Sequence, residues 1–185
     1  MTLMTTSAHS EVRRQDRLLD EAGQERLLDE GEYGFLAMNT EAGGYGVPLS
    51  FVRVRGEAAG GADGASGAGD AGDADGGCVY FHCALAGRKV AALEKDARAS
   101  FCVVGATRVL PEEFSTAYES VMVAGKVVLH LSDDERRAAL RLLVKKYCPA
   151  LMAEGEAYAE KLLHRTRILR LDVERRTGKK RGAGG

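Results

Sequence analysis

Apolar residues recur along this chain at two spacings, and the spacing changes at polar, glycine-rich breaks. Residues 33–39 and 45–55 are rich in apolar and β-branched side chains. Glu41, Ala42, Gly43 and Gly44 between them supply turn chemistry, which predicts a hairpin. Residues 78–83 and 98–105 predict two further strands, and 166–174 a last one. Over 118–131 the alternation is clear: Val121, Val123, Val127, Leu129 and Leu131 fall on one face, Ser120, Lys126 and His130 on the other. One face is core and the other is wetter.

The helical spacing is shorter in reach. Leu27 and Leu28 are flanked by charges, with Gly31 where a helix would stop, so 24–30 reads as a short helix. Residues 87–95 predict a second, with Val90, Ala91 and Leu93 available for packing. Ser132 and Glu135 make an S-x-x-E capping box, followed by Leu140, Leu143, Val144 and Tyr147 at i, i+3, i+4, i+7. After Pro149 a further helix is expected over 154–163. Mostly antiparallel strands with a few helices give a mainly β, barrel-like α+β domain.

The breaks set the boundaries. Residues 1–12 are polar and aperiodic, which predicts a mobile tail. Residues 56–77 are almost entirely Gly, Ala and Asp, with no branched or aromatic side chain to offset the entropy of ordering. They read as a disordered insertion within one domain over 13–174, because each side holds too few elements for its own core. Residues 175–185 read as a basic, Gly-rich tail.

Composition narrows the function classes. The chain of 185 residues can bury a core without staples. Its 26 basic and 27 acidic residues leave a formal net charge of −1, so no global field draws it to nucleic acid or an anionic membrane. The basic run at 175–181 predicts at most weak, salt-sensitive retention on DNA. Cys78, Cys83, Cys102 and Cys148 lack the paired spacing of a zinc site or a CxxC motif, which reads as reduced thiols in the cytoplasm, with Cys148 an apolar filler. No apolar stretch has the length of a signal sequence or a membrane span.

The chemistry concentrates in Tyr80-Phe81-His82-Cys83-Ala84-Leu85-Ala86-Gly87-Arg88-Lys89, where a strand runs through a short loop into a helix. Arg88 and Lys89 beside the positive helix end cost about 0.3–1 kcal/mol each unless an anion neutralises them. A phosphate would turn the penalty into a site; otherwise both side chains extend into water. His82 shares a strand face with Tyr80 and Cys78, and is either a bystander or a proton donor. A metal site from Cys78, His82 and Cys83 fails on alternation, which puts Cys83 on the opposite face.

The run from Tyr80 to Lys89, continued by Leu93 and Asp96-Ala97-Arg98-Ala99-Ser100-Phe101, resembles the flavin-binding stretch of the pyridoxamine 5′-phosphate oxidase superfamily. Similarity to the Nim-type nitroimidazole resistance branch adds Arg13-Arg14-Gln15-Asp16-Arg17, Gly46-Val47-Pro48-Leu49-Ser50-Phe51, Tyr118-Glu119-Ser120-Val121 with Gly125, and Thr177-Gly178-Lys179. The resemblance implies a six-stranded antiparallel split β-barrel with flanking helices, a homodimer, and flavin mononucleotide (FMN) in a groove between subunits. Arg88 and Lys89 would hold the phosphate; Val47, Pro48, Leu49, Ser50 and Phe51 would lie along the ring system. Phe81, His82, Tyr118 and Ser120 complete the implied cofactor contacts, and His82 is the candidate catalytic residue. The implied activity is FMN-dependent reduction of a small acceptor such as a nitroimidazole. The alternative is a non-catalytic module holding flavin, deazaflavin or haem. Cys83 replaces a small hydroxyl residue common in relatives, which places a thiol near the site. The chain lacks tryptophan, so stacking falls to Phe, Tyr or aliphatic walls.

Overall fold

The computed structural model describes residues 14–56 and 77–182. The tail expected at 1–12 and all but the edges of the insertion expected at 56–77 lie outside the described residues.

Six strands, β1 (Tyr33–Thr40), β2 (Gly43–Val54), β3 (Cys78–Ala84), β4 (Arg98–Leu110), β5 (Ser115–Val128) and β6 (Thr166–Arg181), close into an antiparallel barrel in the order β1-β2-β3-β6-β5-β4. The alternation read from the sequence points one residue in two inward. Phe51, Phe81 and Phe101 meet at the centre, with Phe51 and Phe81 each edge-on to Phe101 at 4.8 Å between ring centroids. Leu36, Val79, Val103, Val121, Val123, Leu169 and Leu171 fill the space around them. Gly125 marks a register shift in β5, where a Cβ would overlap the Asp172 carbonyl oxygen; the strand can bend there only without a side chain.

Three boundaries differ from the sequence reading. β6 runs to Arg181, so residues 175–181 are strand rather than tail. Their basic side chains suggested solvation, yet β5 offers a full ladder from Tyr118↔Arg181 to Ala124↔Arg175, and the Arg176 guanidinium reaches Glu21 at 3.2 Å. β4 extends to Leu110 because β5 begins at Ser115 and pairs with it beyond a bulge. β5 stops at Val128, leaving Leu129 to Leu131 outside the ladder.

Four helices flank the barrel: α1 (Glu21–Glu30), α2 (Arg88–Lys95), α3 (Asp133–Tyr147) and α4 (Met152–Leu162). α1 is capped by the Asp20 side chain, which accepts from the Gly23 N–H, and buries Leu27 and Leu28 over one end of the barrel. α2 spans the opposite end, burying Val90, Ala92 and Leu93; Ala91, expected to pack, is exposed. Ser132 caps α3 by accepting the Glu135 N–H at 3.2 Å. The reciprocal arm of the capping box is missing, because the Glu135 carboxylate instead accepts from the Tyr80 hydroxyl at 2.9 Å and from Arg170 at 2.7 Å. α3 and α4 run antiparallel, joined by Arg137–Glu160 and Arg141–Glu156 ion pairs. Cys148, at the end of α3, is exposed and fills no core space.

Candidate functional site

The β2–β3 ladder holds only the pairs Phe51↔Phe81, Val52↔Tyr80, Arg53↔Val79 and Val54↔Cys78. Beyond Phe81, β3 follows β6 through His82, Cys83 and Ala84, whereas the first half of β2 stays with β1. The two strands part, and a cleft opens between Tyr45–Ser50 on one wall and His82–Ala84 on the other. Tyr45, Val47, Leu49 and Cys83 are partly buried against the core and form its apolar floor. Pro48 and Ser50 face outward and are exposed.

Backbone polarity of the β2 wall follows from one side chain. The Tyr147 hydroxyl accepts the Phe51 N–H at 2.8 Å and lies 2.6 Å from the Glu32 carbonyl oxygen, just beyond the start of β1. Phe51 therefore turns its amide toward the β1 side. By the alternation of an antiparallel strand, Gly46 and Ser50 turn their N–H and C=O groups to the cleft, and Pro48 its C=O. These groups have no strand opposite them.

α2 supplies the charge. Gly87 precedes it with φ +134°, a region that disfavours a side chain, and nothing lies within 4 Å of where a Cβ would stand. No side chain caps α2 and no acid occupies its first turn, so the leading backbone N–H groups remain available. Arg88 lies over the Tyr45 ring on the β2 wall, 4.4 Å from the centroid. Lys89 lies on the β3 wall, near enough to bias both His82 and Cys83. Among the described residues neither cation is in an ion pair with a carboxylate.

These surroundings set the protonation states. Desolvation first, and the Lys89 ammonium second, hold His82 below the usual imidazole range, so the ring is neutral near pH 7. Burial pushes the Cys83 thiol up, against the opposing pull of Lys89 and Arg167, so it rests as a thiol with little nucleophilic character.

The structure thus brings Val47, Pro48, Leu49, Ser50, His82, Arg88 and Lys89 around one cleft. Phe51 and Phe81 are fully buried in the core, and their rings present no surface to a ligand. Tyr118 and Ser120 are not near it. Ser120 pairs with Lys179, whereas Cys83 pairs with Arg167, twelve positions away along β6, on the order of 40 Å of strand. Only a second copy of the chain could carry them to the cleft. The sequence reading missed Tyr45 and Tyr147; both are spaced like core residues, and their distant partners leave no local signal.

The outer face of the barrel beside the cleft is apolar. Pro48, Phe35, Cys102 and Met122 stand in one row across β2, β1, β4 and β5, with Phe35 50% and Met122 47% exposed. Tyr33 and Val104 extend the patch. Such a contiguous apolar surface is a candidate contact face.

The sequence profile of the family described as pyridoxamine 5′-phosphate oxidase matches residues 20–180. No curated protein sequence matches the chain. Among solved structures, a candidate 5-nitroimidazole antibiotic resistance protein from Bacteroides thetaiotaomicron is 19% identical, with a TM-score of 0.63 over 88% of this chain and 85% of that one. A flavocytochrome from Azotobacter vinelandii is 19% identical, TM-score 0.67, over 96% and 75%. An FAD- and haem-binding protein from Mycobacterium smegmatis is 22% identical, TM-score 0.66, over 87% and 71%. At these identities the likeness shows the shared fold. No helix among the described residues is long and apolar enough to cross a membrane.

Proposed function

Because this chain belongs to the pyridoxamine 5′-phosphate oxidase family, we propose that it binds FMN in the cleft between β2 and β3 and works as a flavin-dependent oxidoreductase on a small acceptor such as a nitroaromatic. The observation that carries this reading is the start of α2: free backbone donors, an open Gly87 and two cations without carboxylate partners, beside an apolar cleft with unpaired backbone groups. Those features fit a phosphate joined to a flat, polar-edged ring system.

Arg88 and the α2 N–H groups would hold the phosphate from the β2 side and Lys89 from the β3 side. Gly46 and Ser50 would meet the polar edge of the ring with backbone groups, while Val47 and Leu49 exclude water beneath it. Bound flavin supplies the electron-transfer chemistry, and the protein positions it. His82, neutral near pH 7 at the end of β3, would be the proton source, and an anion beside Lys89 would raise its proton affinity toward that of a working acid. The exposed row from Pro48 to Met122 supports a homodimer that buries this face and delivers Tyr118 and Ser120 to the partner's cleft. The four unpaired cysteines support a reducing, cytoplasmic setting.

The test is direct. Protein refolded without cofactor is titrated with FMN, then assayed with each nicotinamide donor against nitroimidazoles and quinones. Stoichiometric binding with turnover supports the reading; absence of flavin uptake overturns it. A second reading, a flavin, deazaflavin or haem module without turnover, is favoured by the two structural neighbours whose names carry a cytochrome or haem. Full loading with no turnover for any donor would select it.

A further inference from the structure

Next to the cleft, where β3 and β5 end and β6 begins, lies a cavity of about 290 Å³, at the small end of ligand-sized pockets. Its walls come from four places: Leu85 after β3, His130 after β5, Arg136 on α3, and His164, Thr166 and Arg167 around the start of β6. Among the described residues no carboxylate lines it. Asp133 is tied to Arg136 at 2.6 Å and is not among the lining residues.

The two guanidiniums have different duties. Arg136 is spent on the protein: besides Asp133, its Nη2 donates to the carbonyl oxygens of Leu163 and Thr166, at 2.5 and 2.8 Å. That fixes the turn carrying His164. Arg167 uses only its Nε, donating to the Leu85 carbonyl oxygen at 3.0 Å, which leaves both terminal nitrogens as donors without a described partner. His130 and His164 make no hydrogen bond or ion pair with any described residue. The concavity thus joins one saturated cation as scaffold, one cation with spare donors and two imidazoles without a described partner, with no acid among its described lining residues.

We propose that this cavity is a second anion site, one that takes a small oxyanion, a phosphate or carboxylate group, on the free end of Arg167 with His130 and His164 as neighbouring donors. Arg136 acts by positioning. The site does not depend on the flavin reading, since it uses none of the residues assigned to that cofactor. It lies within one strand of the cleft, where an acidic substrate or effector could be held.

Calorimetry on the full chain with inorganic phosphate and, separately, succinate tests this, with the His130 and His164 ring signals followed by NMR. Saturable binding of either probe that moves both ring signals with one midpoint is expected, whether or not phosphate also occupies the α2 end. Replacement His164→Gln, at an exposed position, should weaken binding about tenfold, and Arg167→Gln at least as much. The double variant Arg88→Ala/Lys89→Ala should leave it within about twofold. Should Arg167→Gln fail to fold through loss of its bond to Leu85, His164→Gln still decides. Saturation by neither probe, unchanged binding in His164→Gln, or loss confined to the Arg88/Lys89 variant would each overturn the proposal. The last outcome would assign the anion to the α2 cleft instead.

Discussion

The two ends of this barrel carry similar numbers of cations and treat them in opposite ways. At the end under α1, Arg53, Arg55 and Arg176 meet Glu25, Asp29 and Glu21, with the Arg53 and Arg176 side chains only 5% and 6% exposed. At the α2 end, Arg88, Lys89 and Arg167 have no carboxylate partner among the described residues; the acids that line a surface with Arg88 are engaged elsewhere, Asp96 by Arg98 and Asn39 and Glu41 by Lys95. A buried cation must be compensated where it stands, because desolvation is costly. One left uncompensated at a cleft is available to something else. The contrast separates charge that stabilises the fold from charge that awaits a ligand.

The largest way to break it is Arg53→Ala, which removes a buried guanidinium and its stem from between Glu25 and Asp29, although Glu25 keeps Arg55 and Arg176 within 4 Å, and should cost about 3 kcal/mol. Urea denaturation would read this as a lowered midpoint, with flavin affinity of the folded fraction unchanged. Next in size, Arg88→Ala with Lys89→Ala should weaken FMN binding about 100-fold, roughly 2.7 kcal/mol. Stability of the unliganded chain should move by less than about 0.5 kcal/mol. Equal effects of the two variants on stability would erase the distinction between the ends.

Lys146 sharpens the comparison, being a cation at the α1 end in no ion pair among the described residues. Its Nζ sits 3.9 Å from the centre of the Phe51 ring with no hydrogen-bond partner, and burial lowers its pKa to about 8. The unfolded chain then holds more protons on this lysine between pH 8 and the ordinary lysine value of about 10.4, so the Lys146 contribution to stability rises with pH across that window and is flat below it. Allowing for solvent screening of a half-exposed group, the rise should be about 1–2 kcal/mol, and Lys146→Met should abolish it. Smallest is Gly87→Ala, where the extended positive-φ backbone, nearly restricted to glycine, costs about 1 kcal/mol. FMN affinity should fall alongside, as the start of α2 shifts.

Much of the barrel is legible in the sequence. The alternation in β5, the turn at Gly43 and the capping serine of α3 are local facts, decided by residues a few positions apart. β6 was truncated because seven basic or small residues read as solvated, and only β5, fifty residues earlier in sequence, shows what they pair with. The same limit applies to Glu135: the capping pattern is local, but Tyr80 and Arg170 are not, and they took the carboxylate.

The sequence by itself determined the element types, most of the core-facing residues and the presence of two cations and a histidine near the end of β3. Tertiary structure alone decided that β2 and β3 part after four pairs, that Arg88 and Lys89 stand on opposite walls, and that Tyr118 and Ser120 lie at the far end. Side-chain periodicity is set by backbone geometry within a strand or helix. Which strands separate, and which cations go unpaired, depends on contacts between residues remote in the chain, and these exist only once the barrel has closed.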